Sequence, residues 1–354
     1  MSSMTVDAPT RKVIVGVDTH KHIHVAVAID QHGARLGDVT VSADTGGYTE
    51  LEQWAQALGR IDRFGIEGTG SYGAGLSSFL RRCGHRVVEC NREDRRARRR
   101  NGKSDTVDAE AAARSVLAGT STIVPKTGYG TVEMIRQIKV ARDTARKGRT
   151  SAIITLKAII VNAPAELRES LSGLPDKALL DRCAGFRPGE ITDTTGSTKH
   201  ALRSLAKRWL DLDAEITSHD RLLDGLTAQT SPTLRDGYGI GADTAAEMLI
   251  VFGDNPDRIR SEAAFAKLCG VCPIPASSGM TNKHRLYRGG HREANAALHR
   301  TVIVRMRFHQ PTIDYAARRT AEGLSKKDII RCLKRFLARE VYQRVMTDHA
   351  TRSA

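Results

Sequence analysis

Asp105 and Asp108, in Lys103-Ser104-Asp105-Thr106-Val107-Asp108-Ala109, stand three residues apart. That spacing puts both carboxylates on one face of a helix, with Ser104 as its N-cap. Alone, acids in a first helical turn only complement the helix dipole. Two more acids change the reading. Asp18 closes a predicted strand in Gly16-Val17-Asp18-Thr19-His20, and Glu67 closes another in Gly65-Ile66-Glu67-Gly68-Thr69-Gly70. Four carboxylates brought to one place repel each other and need cations. Oxygen ligands suit Mg2+, which stays partly hydrated and is shared with substrate phosphates. Two such ions can clamp the attacking and leaving oxygens of a phosphoryl displacement. Asp18, Glu67, Asp105 and Asp108 therefore predict a Mg2+-dependent phosphoryl-transfer centre, with Mn2+ as a substitute.

The run leading into the acidic pair holds Arg95, Arg96, Arg98, Arg99, Arg100 and Lys103. A charge run is usually a solvated segment. Here its place beside the acids suits it to hold a phosphate backbone, adding affinity and salt dependence but little sequence preference.

The elements that must position these residues are readable from periodicity. Val13 to Val17, His22 to Ile29 and Arg35 to Val41 read as three strands separated by Gly-containing turns. A helix (Gly47 to Leu58), a strand (Arg63 to Ile66), a helix (Ala74 to Arg82), a strand (Arg86 to Glu89) and a helix (Ser104 to Leu117) follow. Three strands and then helix, strand, helix, strand, helix is the order of a ribonuclease H-like mixed sheet. In that order the strands closed by Asp18 and Glu67 are neighbours.

After Pro125 the pattern becomes helical. Thr131 to Ile160 is one long candidate, stopped by Asn162-Ala163-Pro164. Leu202, Leu205, Trp209, Leu212, Ile216, His219, Leu223 and Leu226 step alternately by three and four, an a/d seam. Ile135, Ile138, Ala145, Ala152, Leu156 and Ile159 offer it a partner within the chain, and a dimerising coiled coil is the alternative. The stretch Gly185 to Lys199 between them reads as an exposed linker. From Thr233 a compact helical region follows, with a Gly-rich turn at Gly237 to Gly241, a Gly/Pro-rich loop from Cys269 to Gly290, and helices near Arg292 to Phe308 and Lys326 to Met346. The fold class is α/β plus all-α in three parts: 1–125 a ribonuclease H-like (resolvase-like) sheet domain, 126–230 a coiled-coil-like helical hairpin, and 231–354 a compact helical domain.

Composition narrows the class. The 354 residues carry 55 Lys+Arg against 40 Asp+Glu, a net charge of +15. Such a surplus attracts a polyanion, nucleic acid being the commonest. Aromatic residues at 5% argue against a surface built mainly on base stacking. No apolar run is long enough to span a bilayer, and the first residues lack a signal-peptide core. Six scattered cysteines suit a reducing compartment. The expectation is a cytoplasmic protein with no membrane partner.

The motifs around the four acids resemble the DEDD-type insertion-sequence transposases, whose N-terminal domain is similar to the Holliday-junction resolvases. The order and spacing of all four acids match. The C-terminal half resembles the same family. Gly239-Ile240-Gly241 with Thr244-Ala245 looks like its helix-hairpin-helix-like entry, and Gly270-Val271-Cys272-Pro273, Ser277-Ser278-Gly279 and Arg288-Gly289-Gly290 look like its serine-bearing loop. Lys326-Lys327-Asp328 resembles its C-terminal end.

The resemblance implies a recombinase that moves its own mobile element through a phosphoserine-linked DNA intermediate. It implies Ser278 as nucleophile, the four acids as Mg2+ ligands, a structured non-coding guide RNA, and a homo-oligomer (dimer or tetramer). It also implies composite sites, with the serine of one protomer facing the carboxylates of another. Without it, Ser-Ser-Gly would be turn chemistry. Ser277 stays open as an alternative nucleophile. Lys283, Arg285, Arg288 and Arg292 are placed in sequence to bind the flanking phosphates.

Other signals carry less. Cys269-Gly270-Val271-Cys272 with His284 and His291 has six residues between the histidines, outside zinc-finger spacing. His20 is placed to lie near Asp18, whereas His22 and His24 read as surface or packing residues. Gly237-x-Gly239-x-Gly241 lacks the βαβ surroundings of a dinucleotide fingerprint. The alternatives to a transposase are a resolvase-like endonuclease using water, a sugar-kinase or actin-like ATPase, and a non-catalytic RNA-binding protein.

Overall fold

The computed structural model describes residues 11–90, 104–277, 280 and 284–353. The chain forms two compact units, Met1–Gly130 with Phe252–Arg260, and Thr131–Val251 with Ser261–Ala354.

The first unit is built on β1 (Lys12–Thr19), β2 (Ile23–Asp30), β3 (Arg35–Ser42), β4 (Arg60–Glu67) and β5 (Val87–Cys90), in the order β3-β2-β1-β4-β5. β1 pairs antiparallel with β2 and parallel with β4; β2–β3 is antiparallel and β4–β5 parallel. The central strands are buried on both faces and read as nearly continuous apolar runs, as such strands must. β3, at the edge, has a mostly exposed or half-buried face. Helices α1 (Thr45–Leu58) and α2 (Ala74–Arg82) cover one side, over Val13, Val15, Val17, Phe64 and Ile66. Helix α3 (Asp105–Leu117) covers the other, over Ile14, Val27, Ile29, Val88 and Cys90. The segment 252–260 joins this unit through Asn255. Its side chain accepts from Thr127 N at 3.0 Å and donates to the Pro125 carbonyl at 3.1 Å.

The second unit is helical. α4 (Thr131–Val161) and α7 (Thr194–Thr230) form a long antiparallel hairpin, joined through α5 (Ala165–Leu171) and α6 (Asp176–Ala184). The two predicted seams meet within the chain. Ile135, Ala145, Ala152 and Leu156 on α4 are buried, as are Leu202, Ile216 and Leu223 on α7. One reading of the sequence needs correction, and two helices went unread. Thr194–Lys199 is not linker but the first turns of α7, because Asp193 caps it by accepting from Gly196 N at 2.6 Å. α5 and α6 are too short to show a 3.6-residue period.

Beyond the hairpin lie α8 (Pro232–Arg235), α9 (Ala242–Phe252), α10 (Glu262–Leu268), α11 (Arg292–Phe308), α12 (Gln310–Ala321) and α13 (Lys326–Ser353). The region read as a loop from Cys269 to Gly290 contains a two-stranded ribbon, β6 (Pro273–Pro275) with β7 (His284–Leu286). Three-residue strands carry no usable alternation. Among the described residues no helix is long and apolar enough to cross a membrane.

Candidate active site

Two glycines set the geometry. Gly16 on β1 and Gly65 on β4 are register partners in the parallel pair. A Cβ at Gly16 would lie 2.0 Å from the Ala109 carbonyl oxygen and 2.3 Å from Ala113 N. At Gly65 it would lie 2.6 Å from Val116 Cγ2 and 2.9 Å from Cys90 Sγ. With Ala109, Ala112 and Ala113 facing them, the bare strands let the α3 backbone lie almost against the sheet. Strand side chains alternate, so Asp18 and Glu67, each two residues beyond its glycine, share the α3 face. One turn back along α3 come Asp105 and Asp108. Ser104 caps the helix by accepting from Val107 N at 3.3 Å, which fixes the direction of that turn. Thr19 Oγ1 donates to the Glu67 carbonyl at 2.9 Å and ties the two strand ends together.

Asp18, Glu67 and Asp108 are buried, and Asp105 is half-exposed. Burial pushes the Asp18 carboxyl above the usual carboxylate range; His20 opposes this, while the charges of Asp108 and Asp105 add to it. Burying a carboxylate beside other carboxylates is expensive, and a divalent cation would relieve the cost at Asp18. His20 sharpens the case. Its Nε2 lies 3.3 Å from Asp18 Oδ2 and 3.4 Å from Asp105 Oδ2. It is nonetheless a buried nitrogen with no hydrogen bond of acceptable geometry. One ligand atom each from Asp18, His20 and Asp105 lies within 4.8 Å of the others. This donor set fits a divalent metal, with an imidazole nitrogen added to the carboxylate oxygens.

Of the predicted residues, then, Asp18 and Asp105 come together around His20, and Asp108 is close enough to act on Asp18. Glu67 stands at the end of the adjacent strand on the same face. His20 is the residue that the four-acid reading omitted from the centre. A signal was present: His20 stands two residues from Asp18, just past the end of β1. His24 lies on the opposite face, stacked on Tyr48 with ring centroids 5.7 Å apart, and burial pushes its pKa down. His22 is exposed.

Arg95, Arg96, Arg98, Arg99, Arg100, Lys103, Ser278 and Lys283 lie outside the described residues. In the second unit Ser277, Arg285, Arg288 and Arg292 are exposed, Arg285 on β7 and Arg292 opening α11. Cys269 is buried, and burial pushes its thiol up to about 12, the behaviour of a packing residue.

A family model described as transposase, of the DEDD IS110 type, matches residues 15–163. A second, described as transposase of the IS116/IS110/IS902 family, matches residues 232–317. The first spans all four acids, and the second spans the segment that carries Ser278. No curated protein matches the chain.

Proposed function

Because this chain belongs to the IS110 family of insertion-sequence transposases, we propose that it cuts, exchanges and rejoins DNA strands through a serine-linked intermediate at a divalent-metal centre. The observation that carries the reading is the convergence of Asp18, Asp105 and Asp108 where β1 meets α3, with His20 between two of the carboxylates. The strand order β3-β2-β1-β4-β5 supports a ribonuclease H-like, resolvase-like sheet beneath that centre.

Asp18, Glu67, Asp105 and Asp108 would hold Mg2+, or Mn2+ in its place, and His20 would add a nitrogen ligand. Bound cations supply Lewis-acid stabilisation of the charge that builds on a scissile phosphate. The basic run Arg95, Arg96, Arg98, Arg99, Arg100 and Lys103 holds the DNA backbone beside the acids. Lys283, Arg285, Arg288 and Arg292 hold it beside the serine.

Ser278 is the nucleophile in this reading. Its Oγ bonds to the phosphorus of a backbone phosphate as one phosphate–deoxyribose ester bond breaks. The serine gives up its proton, and the freed strand end takes one up as a hydroxyl. A hydroxyl from a second strand then attacks the phosphoserine and restores the serine. One ester bond is made for each broken, so strand exchange needs no nucleotide hydrolysis. Residues 1–125 supply the acids, 126–230 the hairpin that spaces protomers in a homo-oligomer, and 231–354 the serine. A structured non-coding RNA selects donor and target.

Incubating the full chain with Mg2+ and end-labelled DNA of its own element tests the reading. A denaturant-stable protein–DNA adduct, absent from Ser278→Ala and retained by Ser277→Ala, is expected. Cleavage with no adduct would sink the serine step and leave a resolvase-like nuclease that uses water. A defined RNA co-purifying with the protein is expected; random cellular RNA alone would remove the guide from the proposal.

A further inference from the structure

The second unit contains a buried cation with no anion to meet it. Lys334 on α13 is 8% exposed. Its Nζ donates to Asn295 Oδ1 at 2.9 Å, and among the described residues no carboxylate pairs with it. Burial, with the nearby Arg331 charge, pushes its pKa below the usual lysine value. Next along the helix, Arg335 Nη2 reaches Glu262 at 3.3 Å, while its Nη1 is buried without a partner. Both line a cavity of about 580 Å³ between α13 and the β6–β7 ribbon. Arg331 and Arg285 also border it, and Asp328, the carboxylate on its wall, is held by Arg331 at 2.8 Å and Ser325 at 2.6 Å. An uncompensated buried charge costs several kcal/mol in a folded protein, so this arrangement makes sense when an anion fills it.

The rest of the wall tells which anion. Phe336, 48% exposed and edge-on to Tyr315 with ring centroids 5.5 Å apart, and Leu286, 45% exposed on β7, add apolar surface to the lining. A cavity with a cationic floor and an aromatic wall suits a group that is anionic at one end and flat and apolar at the other. The ribbon that roofs it carries residues 276–283, Ser278 among them, between its two strands. We propose that this cavity takes one nucleotide of the DNA strand, its phosphate on Lys334, Arg335 and Arg331 and its base against Phe336 and Leu286. This rests on the serine reading for its purpose: holding one nucleotide beside the loop would keep the strand in register with Ser278.

The test uses full-length Ser278→Ala protein, which cannot form an adduct, and a fluorescein-labelled trithymidylate with a 5′-phosphate at fixed salt. Lys334→Met and Arg331→Gln should each weaken binding by about tenfold, about 1.4 kcal/mol. Lys327→Met, which removes a charge from the same helix outside the cavity, should change it less than about twofold. A probe carrying 5-iodo-deoxyuridine should photocrosslink to the peptide containing Phe336. Arg331 is exposed, so its variant tests the cavity even where Lys334→Met fails to fold. Equal losses in Arg331→Gln and Lys327→Met would mean attraction to bulk charge alone and overturn the proposal, as would crosslinks confined to other peptides. Adduct formation by the Ser278 protein is read separately. An adduct-forming chain whose trinucleotide affinity ignores Arg331 and Lys334 keeps the serine reading and loses the cavity. The reverse pattern keeps a nucleotide site and loses the serine.

Discussion

Two groups of carboxylates, one in each unit, look alike in sequence and are opposite in physics. Asp105 and Asp108 stand three apart at the start of α3; Asp243 and Glu247 stand four apart near the start of α9. In the second group, Lys139 Nζ lies 2.6 Å from Asp143, 2.8 Å from Glu247 and 3.1 Å from Asp243. Arg142 reaches Asp220 and Asp243, and Arg300 reaches Asp243 at 3.1 Å. Burial alone would raise the Asp243 pKa, but Lys139, Arg142 and Arg300 outweigh it and bring it below the usual range. Around Asp18 burial is opposed only by His20 and a backbone hydrogen bond at Thr19, and two neighbouring aspartates reinforce it. The cluster around Lys139 cross-links four helices; the one around Asp18, with no Lys or Arg paired to Asp18 or Asp105 among the described residues, has a donor set that fits a divalent cation. The number of acids does not distinguish structure from function here, but the charge on the elements packed against them does.

The comparison can be broken most severely at Lys139. Lys139→Met would leave buried Glu247 and half-buried Asp243 without their main counter-ion, and should destabilise the chain by about 3–5 kcal/mol in urea unfolding. A loss under about 1 kcal/mol would mean that the network is decorative. Asp18→Asn should do the reverse. DNA cleavage should fall by on the order of 10²–10³, about 2.7–4 kcal/mol of barrier, while the melting temperature stays level or rises as repulsion is relieved. A melting temperature that collapses with activity would make Asp18 a structural acid.

Cations sharpen the contrast next. Mn2+ at about 100 times its Kd should stabilise the wild-type chain by about 2.7 kcal/mol, seen as a raised melting temperature. His20→Asn should shrink that increment, whereas Lys139→Met should leave it intact. An increment indifferent to His20 would remove the imidazole from the ligand set.

Acid gives the smallest effect. Asp243 and Glu340 have folded pKa values below their ordinary 3.8 and 4.5, because Lys139 and Arg305 respectively outweigh burial. Their contribution is fully present above those ordinary values and is lost as pH falls through the depressed folded ones. For Asp18, raised by burial, the sign is opposite, and its contribution fades as pH rises. Peptide-resolved hydrogen exchange between about pH 5 and pH 2.5 should therefore show α9 and α13 loosening on acidification before β1 does.

Much of this molecule is legible in the chain. The described strands and helices of the first unit follow from β-branched or alternating runs and from a period of 3.6, and the seams of α4 and α7 follow from alternating steps of three and four. Asp18 and Glu67 are legible as acids at the ends of apolar strands, though position alone does not set them apart from Asp30, which ends β2 and serves the turn that follows. Short elements escaped: β6, β7, α5 and α6 hold too few residues to express a period. His20 was legible as a neighbour of Asp18 but not of Asp105, because only the approach of α3 brings that carboxylate to it. Lys334 reads as one more cation on a basic helix until α11 and the ribbon bury it.

By itself, then, the sequence determined the order of the elements, the faces they bury and the acids at their ends, because periodicity and capping act within a few residues. Tertiary structure decided what those charges mean. The energy of a buried charge depends on groups a few ångströms away, and these are supplied by distant parts of the chain. Gly16 and Gly65 let α3 bring Asp105 and Asp108 to Asp18 with no Lys or Arg paired to Asp18 or Asp105 among the described residues. The packing of α4 on α9 brings Lys139 to Asp243 and Glu247.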